Sequence, residues 1–258
     1  MEGNKAISVI MPVHNEEKYL PISLESLKKA RINELIVILD RCTDNSEDIV
    51  RKNFPKAKII KKQRCRWRNS YAENLQLGYK HASGDIICIH DADIKSTPEV
   101  FDILMKELKG SVASVSPVIQ TYKKASFLNL LYYYWEKTRR IAPLGEEPRG
   151  AFRLIRKDCL EKVGGFKDVI APDTQLDIDL RKIGYESKLC KDVICLHLRK
   201  FSFRKAIKSQ INSGKMRKEI NMPFWRVLGH SIIRLRPFVI YGYLKATLNQ
   251  PRRGIKSF

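Results

Sequence analysis

Two aspartates one residue apart, Asp91 and Asp93, close the apolar run Ile86-Ile87-Cys88-Ile89. Two anionic oxygen donors at such a spacing suit a hard divalent cation, Mg²⁺ or Mn²⁺, which prefers carboxylate, water and phosphate oxygens. Taken alone, a D-x-D also reads as a pair of solvated aspartates opening the loop to Ser96-Thr97-Pro98-Glu99. What separates the two readings is the element that carries the pair. Ile86 to Ile89 is continuous, rich in β-branched residues and introduced by Gly84-Asp85, the pattern of a strand buried on both faces. On such a strand Asp91 and Asp93 point to the same side, with Ala92 opposite.

Other segments fall into the same arrangement. Ile7 to Met11 reads as a first buried strand closed by Pro12, followed by an amphipathic helix over Glu16 to Ala30. Leu35 to Leu39 is a second strand that delivers Asp40 to its carboxyl end, with Asn45 or Ser46 placed to cap the next helix. Ala57 to Ile60 gives a strand, Ser70 to Ala82 a helix, Thr97 to Leu108 a helix and Ser111 to Val118 a strand. This alternation predicts an α/β fold with a mostly parallel, doubly wound sheet that binds ligands at its carboxyl edge. Pro12, His14, Glu16, Asp40, Asp91 and Asp93 would then share that edge. No G-x-G-x-x-G follows any of these strands, which argues against a dinucleotide site. An acidic residue after the second strand suits hydrogen bonding to a base or ribose.

Bulk composition narrows the class. The 258 residues, 43% of them apolar, suffice for one large domain with a small appendage. The six cysteines contain no C-x-x-C pair and no zinc pattern, and several lie in strand-like runs, as buried thiols of a cytoplasmic protein do. The first residues enter a strand without a leader, so a cytoplasmic location is expected. A net charge of +21 predicts attraction to polyanions. Nine Lys/Arg and no acid lie between Arg51 and Arg68, and Glu219 is the single acid from Arg199 onward.

The segments Ile7-Ser8-Val9-Ile10-Met11-Pro12-Val13-His14-Asn15-Glu16-Glu17, Leu39-Asp40-Arg41-Cys42-Thr43-Asp44-Asn45-Ser46, and Ala82-Ser83-Gly84-Asp85 with Asp91-Ala92-Asp93 resemble the successive signatures of family-2 glycosyltransferases of GT-A fold. The resemblance covers roughly residues 7 to 200. It implies a nucleotide-sugar donor, with Pro12, His14, Glu16 and Asp40 lining the nucleotide pocket and Asp40 pairing with the base. Asp91 then contacts the ribose or the metal, and Asp93 ligates a metal that bridges the diphosphate. Arg64 to Arg68 occupies the place where such enzymes hold basic residues near the diphosphate, which makes Arg68 a donor-binding candidate. Two departures stand out: Gln76 replaces the usual Asn before x-Gly, and Arg41-Cys42 replaces an Asp-Gly-Ser type of loop.

Further along, Val163-Gly164-Gly165-Phe166 through Asp173 to Tyr185 resembles the family's block from a Gly-Gly-Phe turn to a Glu-Asp pair opening a helix, with Pro172 in place of Glu. Asp173 is therefore the expected general base, because inverting transfer needs a carboxylate beside the acceptor hydroxyl. Its plainer reading is an N-cap. Asp177 and Asp179 are expected on the helix surface. His197 follows the strand Val193 to Leu196, where an imidazole can add a third metal ligand.

Residues 1–200 are thus expected to form the GT-A domain, and residues 201–258 a basic, amphipathic helical extension. Ser126 to Ala142 is unusually aromatic, and faces either the core or an acceptor or bilayer interface. Phe224 to Leu248 is apolar but broken by Arg226, Arg234, Arg236, Pro237 and Lys245, which opposes a membrane span and favours helices lying on an anionic membrane face, or a lid. The expected activity is metal-assisted, inverting transfer of a sugar to a hydroxyl on a glycan or lipid-linked carrier. Transfer to a polyprenyl phosphate is the enzymatic rival. A basic nucleic-acid-binding protein is the rival from another class, but no aromatic and basic strand motif or recognition helix supports it, and nucleic acid is not an expected partner. The oligomeric state stays open.

Overall fold

The computed structural model describes residues 5–141 and 150–248. In chain order the elements are β1 (Ile7–Val13), α1 (Leu20–Leu27), β2 (Glu34–Asp40), α2 (Ser46–Asn53), β3 (Lys58–Lys62), α3 (Ser70–Lys80) and β4 (Ile86–His90). There follow β5 (Ile94–Lys95), α4 (Glu99–Glu107), β6 (Val112–Thr121), α5 (Phe127–Ile141), β7 (Phe152–Arg156), α6 (Lys157–Lys162), α7 (Pro172–Lys182) and β8 (Glu186–His197). Three helices complete the described chain: α8 (Phe203–Glu219), α9 (Phe224–Ile233) and α10 (Pro237–Leu248). The last residue expected in the aromatic helix, Ala142, and residues 249–258 of the expected extension lie outside the described residues.

The eight strands form one sheet in the order β3-β2-β1-β4-β7-β6-β8-β5. β3, β2, β1 and β4 are parallel, as the alternation predicts. Beyond β4 the sheet is mixed. β7 begins beside the end of β4, His90 facing Phe152, and runs back antiparallel to both β4 and β6. β8 is parallel to β6, and the short β5 pairs antiparallel with β8.

Side chains along the central strands alternate between two cores. Val9, Met11, Leu35, Val37, Ile86 and Cys88 pack on one face, and Ile10, Ile36, Ile38, Ile87 and Ile89 on the other. Burial on both faces is why these strands read as unbroken apolar runs. α3 lies on the second face, where Gly78 abuts Ile10 and Ile38 too closely to admit a Cβ. Its start is set by the Asn69 side chain, which accepts from the Tyr71 and Ala72 N–H groups. α1 is shorter than expected. Asn15 is left-handed (φ 54°), and residues 17–19 form a turn before the helix starts at Leu20.

Two compact units make up the described chain: one extends to Tyr134 and resumes through Lys200, and the other comprises the stretch from Trp135 and the residues from Phe201. In the second unit α8 and α10 pack closely at Gly214 and Gly242, each lying against the other helix's backbone. Its buried apolar side chains are Val227, Val239 and Tyr243. The Tyr243 hydroxyl donates to the Met222 carbonyl at 2.9 Å, and the Arg236 guanidinium lies 5.0 Å from the centre of the Trp135 ring.

Candidate active site

At the carboxyl edge of the parallel strands lies a cleft of about 450 Å³. β1 supplies Pro12 and Val13, with His14 and Glu16 just beyond; β2 supplies Asp40 and Arg41; and α3 supplies Ser70, Tyr71 and Asn74. The end of β4 brings Asp91, Ala92 and Asp93, and the end of β8 brings His197 and Arg199. Pro12, His14, Glu16, Asp40, Asp91, Asp93 and His197, scattered over 186 positions of sequence, therefore share one wall.

Asp40 is buried and densely bonded. It accepts from Arg41 Nε at 2.8 Å, from Asn74 Nδ2 at 3.1 Å and from the Ser70 hydroxyl, and Lys62 Nζ stands 3.4 Å away. Burial pushes its pKa up, but the bonds from Arg41, Ser70 and Asn74 pull it down to about 2. Its charge is thus committed to its own protein, and Oδ2 is taken by Ser70 and Asn74 before any nucleotide arrives. His14 Nδ1 donates to the Asp40 carbonyl at 2.6 Å, which ties the ends of β1 and β2 together.

Asp93 is likewise met by a cation. Arg199 Nε donates to Asp93 Oδ2 at 2.6 Å, and its terminal nitrogen donates to Glu16 Oε1. Burial pulls the guanidinium pKa down, but Asp93 and Glu16 outweigh it and hold the group firmly charged. His197 Nε2 is 3.4 Å from the same Asp93 oxygen. Asp91 takes the Tyr71 hydroxyl at 2.9 Å on Oδ1, yet burial first and neighbouring Asp93 second push its pKa well above the usual carboxylate range. The cleft floor is therefore short of positive charge at Asp91, which suits an incoming cation. Among the described residues no three of His, Cys, Asp and Glu converge closely enough to hold a metal unaided. The Asp93 carboxylate and the His197 imidazole fit as two donors, leaving the other positions to water and diphosphate oxygens.

Two candidates lie elsewhere. Asp173 is not the N-cap of α7: Ala171 is, and Pro172 and Asp173 form the first turn. It sits beside the cleft rather than in its wall, against Gly150, close enough that its charge raises the pKa of both Asp91 and Tyr71. Arg68 is not in the wall either. The Asp168 carboxylate accepts the backbone N–H groups of Arg68 and Asn69, and the Arg68 guanidinium turns to the Asp168 carbonyl at 2.8 Å. A carboxylate in the Gly-Gly-Phe loop thus draws this arginine away from the cleft.

Asp177 and Asp179 also depart from expectation, since neither is a surface residue of α7. Asp177 makes a bidentate pair with Arg153, 2.7 and 3.0 Å from its terminal nitrogen, and the arginine side chain is 0% exposed. Arg153 also donates to the Asp173 carbonyl at 3.2 Å. Asp179 is buried and accepts from Lys167 and Gln175. A charged partner on the buried strand β7 draws Asp177 inward, and Lys167, from the segment before α7, meets Asp179; α7's spacing alone reveals neither. Sequence reasoning also passed over Arg199, Tyr71 and the Ser70/Asn74 pair. The last was legible as an i, i+4 polar pair, whereas Arg199 stands in a run of basic residues that does not single it out. Gln76, the departure noted above, accepts the Phe166 N–H at 2.8 Å and so belongs to the Gly-Gly-Phe turn.

Residues 8–164 match the description "Glycosyl transferase family 2". The probable glycosyltransferase YdaM of Bacillus subtilis (strain 168) is 30% identical over 205 residues, which is 69% of this chain and 47% of that protein. The undecaprenyl-phosphate 4-deoxy-4-formamido-L-arabinose transferase of Yersinia enterocolitica is 31% identical over 107 residues, 38% of this chain and 32% of that one. The chain thus spans about half the length of these relatives, or less. Among solved structures, the mannosyltransferase PcManGT from Pyrobaculum calidifontis, in complex with GDP-Man and Mn²⁺, superposes with a TM-score of 0.65 at 20% identity over 95% of this chain and 74% of that one. Glucosyl-3-phosphoglycerate synthase from Mycobacterium tuberculosis gives 0.62 at 17% identity, over 85% and 81%. These likenesses bear on the fold, and they carry the GT-A architecture that the sequence implied.

Proposed function

We propose that this chain, which belongs to glycosyl transferase family 2, transfers a sugar with inversion from a nucleotide-diphosphate sugar to an acceptor hydroxyl on a glycan or lipid-linked carrier. The observation that carries this reading is the meeting of Asp91, Asp93 and His197 with Glu16 and Arg199 in one cleft at the carboxyl edge of the sheet. The neighbouring structures, solved with Mn²⁺ and nucleotide sugars bound, support a divalent cofactor here, with Asp93 and His197 as its ligands and Asp91 as a ligand or ribose contact. When bound, the metal supplies positive charge to the departing diphosphate. Pro12, His14 and Glu16 border the nucleotide, and Asp40 fixes the loop around the base.

Chemistry at the acceptor falls to Asp173. As the acceptor oxygen bonds to the anomeric carbon, the bond from that carbon to the phosphate oxygen breaks and its electron pair leaves with the nucleoside diphosphate. The acceptor proton passes to the Asp173 carboxylate. Arg199 adds a fixed cation beside the same diphosphate. A cytoplasmic setting belongs to the same reading, supported by six cysteines that are all unpaired thiols.

A second reading, transfer onto a polyprenyl phosphate, is favoured by the name of the Yersinia relative. A phosphate oxygen is already anionic and needs no general base. The variant Asp173→Asn discriminates: loss of turnover with donor binding retained supports the hydroxyl acceptor, and unimpaired turnover supports the phosphate. Thermal shifts with UDP-, GDP- and dTDP-sugars plus Mn²⁺, on the parent and Asp93→Ala, test the donor site. Equal shifts in both proteins would overturn metal-assisted binding.

A further inference from the structure

The second unit displays its apolar side chains rather than burying them. Trp225 is 71% exposed, Ile232 63%, Leu235 66% and Leu248 83%, while Val227, Val239 and Tyr243 form its buried cluster. The exposure is ordered. Trp225, Leu228 and Ile232 stand at i, i+3 and i+7 of α9, and Tyr241, Leu244 and Leu248 repeat that spacing on α10, so each helix carries an outward apolar stripe. Leu235 adds to it from the turn between the helices.

Charge surrounds the stripes. From Phe201 onward the chain has thirteen Lys/Arg against Glu219 as the one acid. On α9 the exposed Arg226 directly follows Trp225, while Arg234, at the helix's C-cap, is half-buried. Lys245 Nζ reaches back over the Tyr241 ring at 5.8 Å, an amphipathic arrangement with the stem on the apolar side and the ammonium at its edge. Among the described residues no helix is long and apolar enough to cross a membrane.

We infer that α9 and α10 form a docking surface for an anionic lipid bilayer, with the apolar stripes entering the headgroup boundary and the basic residues meeting lipid phosphates. The charge selects this occupant. A second copy would bring two strongly basic faces together, and nucleic acid would leave Trp225, Ile232 and Leu248 unburied, whereas an anionic bilayer satisfies both halves of the surface. Trp and Tyr at the rim of an apolar stripe suit the membrane–water boundary. The inference concerns a different surface from the cleft and does not depend on sugar transfer.

The test is flotation of the full chain with phosphatidylcholine vesicles, with and without phosphatidylglycerol, for the parent and the doubly substituted Trp225→Ser, Ile232→Ser. These positions are exposed, so the fold is retained, as an unchanged melting curve and donor-induced thermal shift will confirm. The parent is expected to float with phosphatidylglycerol-containing vesicles and to do so less as salt rises, and the variant to partition roughly tenfold more weakly. Equal flotation of parent and variant, equal binding to phosphatidylcholine alone, or no vesicle binding would overturn the inference. So would self-association of the parent in sedimentation that the same substitutions abolish. Because vesicles are offered without nucleotide or metal, any of these results leaves the donor-site reading intact.

Discussion

Asp40 and Arg199 show how single side chains set the charge of the cleft. The Asp40 pKa is depressed from 3.8 to about 2, so its contribution to stability is complete above the unfolded value and is lost as pH falls between those two values. Asp40→Asn should cost about 2 kcal/mol at neutral pH and flatten the acid limb of the stability curve in that window, as denaturant melts across pH will measure. Arg199 is the cation that Asp93 and Glu16 share. Replacing it with Gln leaves two nearly buried carboxylates facing each other. A loss of about 2 kcal/mol is expected, discounted from the fully buried case because the guanidinium is partly exposed. Mn²⁺ should restore more of the melting temperature in this variant than in the parent; an identical Mn²⁺ response would remove Arg199 from the charge balance of the site. The D-x-D pair and His14 were legible because they directly follow apolar runs. Arg199 was not, since nothing in a basic tail marks which arginine turns inward.

At the scale of elements, β7 and α7 depend on one ion pair. Arg153 is buried on β7 and meets Asp177 two-fold, so Asp177→Ala strands a guanidinium in the interior. A cost of about 3–5 kcal/mol is expected by thermal or chemical melts, and Asp177→Asn, which keeps an acceptor, should cost less. In the second unit the close approach of α8 and α10 rests on glycine. A Cβ at Gly214 would overlap the Val239 carbonyl and crowd Tyr243 N at 2.6 Å. Gly214→Ala should therefore part these helices and raise their amide hydrogen exchange relative to the sheet; unchanged protection would show that the crossing has slack. The parallel strands and the helix over 70–80 were recoverable from periodicity and breakers, while Pro237, where α10 begins, left one helix or two open. The reversal of β7 was not, because strand direction leaves no trace in composition.

Across the whole molecule the +21 charge is a standing repulsion. Raising salt from about 0.01 to 0.15 M shortens the screening length from about 30 to about 8 Å, so the melting temperature should rise over that range. A falling value would mean that ion pairs such as Arg153–Asp177 and Arg199–Asp93 outweigh the net field.

Sequence by itself determined the alternation of buried strands and amphipathic helices, and with it the edge on which Pro12, His14, Glu16, Asp40, Asp91 and Asp93 meet, because hydrophobic period and chain order constrain a doubly wound sheet so tightly. Tertiary structure alone decided which charges face each other there. Arg199 came to Asp93, Arg68 went to Asp168, and Asp177 went inward to Arg153. Such pairings depend on side-chain reach between elements distant in the chain, and local pattern holds no record of that reach.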